Sequence, residues 1–269
     1  MNLIYQCFIG QNQPAYVKKL TGYVQDYAKK CGADYHFEKD LKLEGADPKV
    51  SMHRYFNILQ VLDPECDKYE NIFYLDCDIL PDARAKNIFA MIKPDDWIMA
   101  SKEDRGYNTV YGPAFHVVID VIKKFKSKYL RMDCPLPTDG RNIIQYNTGV
   151  VVFTKKGRIK LRESLEDWKK WANDLDGSPS LNNDQPYLNG MFVKYDIPVR
   201  EIGWRWNLYP FYYLNDRERY DEEPPVVPRG HFYHFSNPHG KHHGTIFTPD
   251  YTPEGHLFST DFERSWQPE

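Results

Sequence analysis

The run Gly149-Val150-Val151-Val152-Phe153 carries apolar side chains on both faces of an extended chain. Side chains of a strand alternate between faces, so this run predicts a central strand buried from both sides. A sheet built around such a strand needs a helical layer on each face. The first hundred residues supply the matching alternation. Residues 3–9, 35–37, 72–75 and 97–100 read as strands. The apolar stripe Tyr16, Val17, Leu20, Val24, Tyr27, Ala28 and Cys31 predicts a helix that Gly32 ends. Asp47-Pro48 has the chemistry of a helix start, and Met52, Tyr55, Phe56, Leu59 and Leu62 give that helix a face. Further helices are predicted from Ala114 to Tyr129 and along Leu161, Leu165, Trp168, Ala172 and Leu175. The fold class expected is α/β, a Rossmann-like, mostly parallel central sheet with helices on both faces. Ligands of such sheets bind beyond the carboxyl ends of the strands.

Composition sets the outer bounds. A chain of 269 residues with 41% hydrophobic and 27% charged residues has the material for one large core. We expect a single domain over residues 1–245, and a tail over 246–269 packed on it or on a neighbouring chain. Net charge is −3, from 35 basic and 38 acidic side chains, which gives no push toward nucleic acid. No apolar run approaches the roughly 18 residues of a membrane span. The five cysteines are odd in number and contain no C-x-x-C pair, and no N-x-[S/T] triplet occurs. The expectation is a reduced, cytoplasmic, enzyme-like protein.

The chemistry concentrates at Ile72-Phe73-Tyr74-Leu75-Asp76-Cys77-Asp78-Ile79-Leu80. Four apolar residues run into two aspartates spaced i, i+2, which point to the same side of an extended chain. Two like charges at a strand end repel, so a cation belongs beside them, and a hard divalent ion shared with substrate phosphates suits them. Residues 231–244 hold five of the nine histidines, and Lys241 lies in a glycine-flanked stretch. There His234, leaving a short strand at residues 232–235, is the candidate to complete the ion's shell. A mixed carboxylate and imidazole set favours Mn²⁺ over Mg²⁺.

Together these segments resemble the family 8 glycosyltransferases, the group of glycogenin and the lipopolysaccharide galactosyltransferases. Tyr74-Leu75-Asp76-Cys77-Asp78 is similar to that family's D-x-D segment. Tyr146-Asn147-Thr148-Gly149-Val150 resembles its F-N-[AST]-G-V strand, Asn182-Asn183-Asp184-Gln185-Pro186-Tyr187-Leu188-Asn189 its D-Q segment, and His234 to Lys241 its closing H-x-x-G-x-x-K. Phe8-Ile9-Gly10-Gln11-Asn12 and Ser51-Met52-His53-Arg54-Tyr55 are weaker matches. The resemblance covers roughly residues 3–245. It implies a GT-A fold and a manganese-dependent enzyme of glycan biosynthesis using a nucleotide-sugar donor, a UDP-sugar being expected and GDP left as the alternative. It also implies roles. Asp76, Asp78 and His234 would bind metal; Asp76, Phe8, Gly10, Asn12, Arg54 and Lys241 would bind the donor; and Asn147, Asp184 and Gln185 would attend the transferred sugar. The spacing from His234 to Lys241 is one residue longer than the family's, which leaves His239 as a competing ligand. In the family this arrangement goes with retention of configuration. Inversion would need a carboxylate base, for which Asp184, Asp104 and Glu103 are the candidates.

Bland readings stand beside these. Asn147 would be a turn residue ahead of a strand, and Asp184 a helix N-cap before Pro186. The aromatic run from Trp204 to Tyr213 reads mainly as core. Trp204 and Trp206 share one side if extended, so one of them could meet an acceptor sugar. Two rival functions use the same residues: a metal-dependent phosphatase or nucleotidyltransferase, and a non-catalytic nucleotide- or carbohydrate-binding protein.

Overall fold

The computed structural model describes residues 1–10, 13, 15–102, 115–138, 143–174, 181–208 and 230–234. Its strands are β1 (Asn2–Cys7), β2 (Asp34–Glu38), β3 (Asn71–Leu75), β4 (Ile79–Pro81), β5 (Ile98–Lys102), β6 (Tyr146–Thr154), β7 (Val199–Glu201) and β8 (Phe232–His234). Its α-helices are α1 (Ala15–Cys31), α2 (Ser51–Arg54), α3 (Phe115–Arg131), α4 (Lys155–Leu161), α5 (Trp168–Ala172) and α6 (Asp184–Lys194). Six strands form one sheet in the order β2-β1-β3-β6-β5-β7, and β4 pairs with β8 in a separate ribbon. The pairs β1–β2, β1–β3 and β5–β7 are parallel, whereas β6 runs antiparallel to both β3 and β5. Five strands therefore run one way and β6 the other. The amino end of β6 thus meets the carboxyl ends of its neighbours.

The central strand is where its apolar pattern places it, and the alternation of side chains divides the core in two. Leu3, Tyr5, Ile72, Tyr74, Ile98, Ala100, Val151 and Phe153 face one layer, with Phe56, Leu59, Trp168, Trp171 and Tyr187 packed on them. Ile4, Phe73, Leu75, Met99, Val150 and Val152 face the other, against Val24, Tyr27, Trp206 and Phe232. Helix α1 ends where expected, with Gly32 at φ +63°, a conformation that costs glycine least.

Two expected helices take another form. The helix expected from Asp47-Pro48 begins only at Ser51, and Val50 caps it without a side-chain bond. The Asp47 carboxylate instead accepts from the Lys49 N–H, closing a turn on itself. The chain then continues as a 3₁₀ run, Tyr55–Leu62. Three residues per turn line up Phe56, Leu59 and Leu62, while Tyr55 is left exposed. The helix expected from Leu161 to Leu175 is split into α4, a 3₁₀ turn at Arg162–Glu166, and α5. At the break the Ser164 carbonyl takes the Tyr187 hydroxyl and the Asp167 N–H, so it leaves the α ladder. Leu175 and residues 246–269 lie outside the described residues. No described helix is long and apolar enough to cross a membrane.

Candidate functional site

The acidic pair sits at the carboxyl end of β3, where the sheet's ligand edge was expected. The Asp76 N–H donates to the Gly149 carbonyl at 2.9 Å, and Gln6 Nε2 donates to the Asp76 carbonyl at 3.0 Å. The backbone of Asp76 is thus held by two neighbouring strands. Its Oδ1 lies 2.9 Å from the Tyr74 hydroxyl, which also reaches Asn57 Oδ1 at 2.8 Å. Asp78 leads directly into β4, and the register of β4 with β8 pairs Ile79 with His234. That pairing carries the imidazole to the acids across 156 residues of chain.

His234 Nε2 faces Asp78 Oδ1 at 3.4 Å and Asp76 Oδ2 at 3.9 Å. The ligand atoms of Asp76, Asp78 and His234 all lie within 4.8 Å of one another, close enough for one ion to touch all three. Gly149 forms the wall. A Cβ there would stand 2.5 Å from His234 Cε1 and 2.7 Å from Asp76 Oδ2, so only glycine leaves this cradle open. Burial and the neighbouring Asp78 push the Asp76 carboxyl up to about 6, against the pull of His234 and Tyr74. Two acids held together at such cost beside an imidazole fit a divalent cation.

The residues expected at the sugar assemble next to it. Asn147 lies inside β6 and is buried, not in a turn ahead of the strand. Its Nδ2 donates to Gln185 Oε1 at 2.8 Å, and its Oδ1 accepts the Gly149 N–H at 2.8 Å. Asp184 is the first residue of α6, not its cap. Asn183 is the cap, and its side chain accepts from the Gln185 N–H. Burial and Asp76 push the Asp184 carboxyl up to about 7, although Thr148 and two backbone N–H groups hold it. One turn on, Asn189 bonds both backbone groups of Tyr146, accepting its N–H at 2.7 Å and donating to its carbonyl at 2.8 Å. This buried amide fastens α6 to β6 and keeps Gln185 beside Asn147. The five-residue run from Gln185 to Asn189 has a mechanical reason, since i and i+4 share a helix face.

The donor-side expectations are placed less closely. The Phe8 N–H donates to the Glu38 carbonyl, and Gly10 is exposed just past β1. Arg54 is exposed, with Nε on the Pro48 carbonyl at 2.6 Å. Asn12, Glu103, Asp104, His239 and Lys241 lie outside the described residues. Trp204 and Trp206 do not share a side, because the segment is a 3₁₀ turn rather than extended. Trp206 is buried between Phe232 and His231, whereas Trp204 is 41% exposed.

Sequence reasoning overlooked Asn207. It is buried, its Nδ2 donates to Asn147 Oδ1 at 2.7 Å, and its Oδ1 lies 2.9 Å from His234 Nδ1. Leu208 places it, by bonding β8 through the Phe232 carbonyl and the His234 N–H. The available signal was one short amide inside an aromatic run, since a buried polar group needs partners.

The chain is similar to solved structures. WbbM, a bifunctional glycosyltransferase in its apo form, superimposes with a TM-score of 0.50 at 10% identity, over 87% of this chain and 45% of that one. A glycosyltransferase involved in glycosylation of the major capsid of PBCV-1 superimposes with a TM-score of 0.49 at 17% identity, over 88% of this chain and 93% of that one. The galactosyltransferase LgtC, in complex with donor and acceptor sugar analogues, gives 0.46 at 16% identity, over 88% of each chain. No family model matches the sequence, and no curated protein does. At such identities the likeness is one of fold, and the fold is GT-A.

Proposed function

We propose that this chain is a metal-dependent glycosyltransferase that moves a sugar from a UDP-sugar to a hydroxyl acceptor on a glycan, with retention of configuration. One observation carries the reading. The three metal-type ligands Asp76, Asp78 and His234 converge beside Asn147, Asp184 and Gln185 at the carboxyl edge of the sheet. A phosphatase would need only the acids and the cation; the amide pair beside them suits a neutral, hydroxyl-rich ligand.

A divalent cation held by Asp76, Asp78 and His234, Mn²⁺ by its donor set, supplies positive charge against a diphosphate leaving group. The protein's own groups do the rest. Asp184 accepts hydrogen bonds from sugar hydroxyls. Gln185 presents a neutral amide to the anomeric carbon, where positive charge grows as the bond to phosphate breaks. Its Oε1 is held by Asn147 Nδ2, so the dipole is oriented before substrate arrives, which is the condition for electrostatic stabilisation of a transition state. An amide is a poor nucleophile, so the acceptor hydroxyl attacks on the face the leaving group vacates and passes its proton to the departing diphosphate oxygen. Lys241 is assigned to the diphosphate.

The test is calorimetric titration of UDP and of GDP into the protein, with Mn²⁺ or EDTA, using wild type and Asp78→Ala. UDP binding that needs Mn²⁺ and vanishes in the variant supports the reading and opens a screen of UDP-sugars. A folded protein that binds neither nucleotide refutes it.

A further inference from the structure

We infer that Asn207 is a positioning residue: its side-chain carbonyl keeps a proton on His234 Nδ1 and turns a bare Nε2 toward Asp76 and Asp78. The inference rests on the reading of that cluster as a cation site, and it assigns a role to a residue outside the ligand set.

The argument starts from one group whose polarity is beyond choice. A backbone N–H only donates. The Gly149 N–H reaches the Asn147 side chain at 2.8 Å, so the atom it meets is the carbonyl oxygen. The end of the Asn207 amide 2.7 Å from that same oxygen must also donate, which makes it Nδ2. The far end of Asn207 is then its oxygen, and it lies 2.9 Å from His234 Nδ1. An oxygen there demands hydrogen on Nδ1. One backbone amide therefore sets two side-chain orientations and one tautomer in sequence. The same polarity runs outward on the other side, where Asn147 Nδ2 donates to Gln185 Oε1.

Burial makes the order hard to reverse. Asn147, Asn207 and His234 are 6%, 5% and 3% exposed. Flipping Asn207 would set two carbonyl oxygens against each other where little water can reach, at the full cost of unmade hydrogen bonds. A neutral ring with hydrogen on Nδ1 has its lone pair on Nε2, the atom that faces Asp78 Oδ1 at 3.4 Å and Asp76 Oδ2 at 3.9 Å. The nitrogen a metal takes is set by the hydrogen bond its partner nitrogen makes. Asn207 supplies that bond and joins the cation site to Gln185 through Asn147.

The test has two independent readouts. Long-range ¹H–¹⁵N spectra of the apo protein, at alkaline pH where the ring is neutral, report which nitrogen of His234 carries the proton. Mn²⁺ titration reports affinity. Wild type is expected to show the Nδ1–H tautomer. Asn207→Ala is expected to shift the ring to Nε2–H and weaken Mn²⁺ binding about 10–100-fold, the usual effect of removing such an outer partner. Asn207→Asp keeps an acceptor for Nδ1–H while setting an oxygen against Asn147 Oδ1, so it should lower Tm yet retain the wild-type tautomer. A role in packing alone predicts that both variants fail alike. A wild-type ring protonated on Nε2, or an Asn207→Ala ring unchanged from wild type, overturns the inference whatever the metal does. The wild-type spectrum decides this even if a variant fails to fold. A wild type with the Nδ1–H ring that takes up no Mn²⁺ removes the cation reading and with it the role assigned to Asn207.

Discussion

Replacing Gly149 by alanine tests the cradle with one carbon atom. The added Cβ would lie 2.5 Å from His234 Cε1, 2.7 Å from Asp76 Oδ2 and 3.1 Å from Asn147 Oδ1. Comfortable carbon contacts are about 3.5–4.0 Å, so the imidazole must give by about 1 Å. It is held on one side by Asn207 at 2.9 Å, and a shift of that size breaks the bond. Overpacking costs about 1–3 kcal/mol and a lost hydrogen bond about 1 kcal/mol, together about 3 kcal/mol. For a chain of this size that lowers Tm by about 6–12 °C. The displaced ring would also spoil one of the three proposed ligands, and Mn²⁺ affinity should fall at least about tenfold. Gly190→Ala is the control. Its Cβ would meet Cys134 Sγ at 2.6 Å and Tyr129 Cε1 at 2.8 Å, in the core rather than the cradle. It should lower Tm comparably and leave Mn²⁺ affinity unchanged. Thermal melts and metal titrations of both variants decide. A Gly149→Ala protein with wild-type Tm and affinity refutes the cradle, as does equal loss of affinity in Gly190→Ala.

Other consequences can be measured by the same means. Gly22→Ala, mid-helix in α1 with open space around the new carbon, should stabilise by about 0.5–1 kcal/mol, seen as a rise in Tm of about 1–4 °C. Lys128 is fully buried, with Nζ on the Trp171 carbonyl, Asn182 Oδ1 and Asp174 Oδ2, so Lys128→Met should cost about 3 kcal/mol in urea unfolding. The Asp174 carboxyl resists the upward push of burial, and bonds from Arg131 and Lys128 hold it down at about 2. Its folded value is below its unfolded one, so its stabilisation is present above about pH 4 and is lost as pH falls toward 2. Melting wild type and Asp174→Asn between pH 5 and 2 should show the variant missing that part of the acid-induced loss. Trp206→Ala should destabilise by about 3–5 kcal/mol, while Trp204→Ala, at a half-exposed ring, should stay within about 0.5 kcal/mol.

Which parts of this molecule were legible beforehand follows from the range of the forces involved. Strand and helix patterns are local. The two-faced apolar run of β6, the stripe of α1 and the glycine at its end announce themselves within a few residues, because side-chain direction repeats every 2 or 3.6 positions. The acid pair is equally local, since Asp76 and Asp78 lie at the end of the strand that carries them. The helix starts and breaks were harder. Asp47 has two ways to use its carboxylate, and its own turn won over a helix cap. Ser164 lost its place in a helix to a tyrosine hydroxyl 23 residues away.

The sequence by itself determined five of the six strands of the main sheet, the central one among them, and the acidic strand end, while β7 left no signal in it. Asn147, Asp184, Gln185 and His234 were singled out there by the family resemblance, since no local pattern in the chain brings them together. Only the tertiary structure decided that β8 pairs with β4 in the register that sets His234 against Asp78. It alone placed Asn207 between His234 and Asn147, left Trp204 outside and put Trp206 in the core. The physical reason is that hydrogen bonds between groups 27 and 60 residues apart leave no period in the chain. Such contacts form because burial of the strands and helices around them removes water from amides that must then find one another.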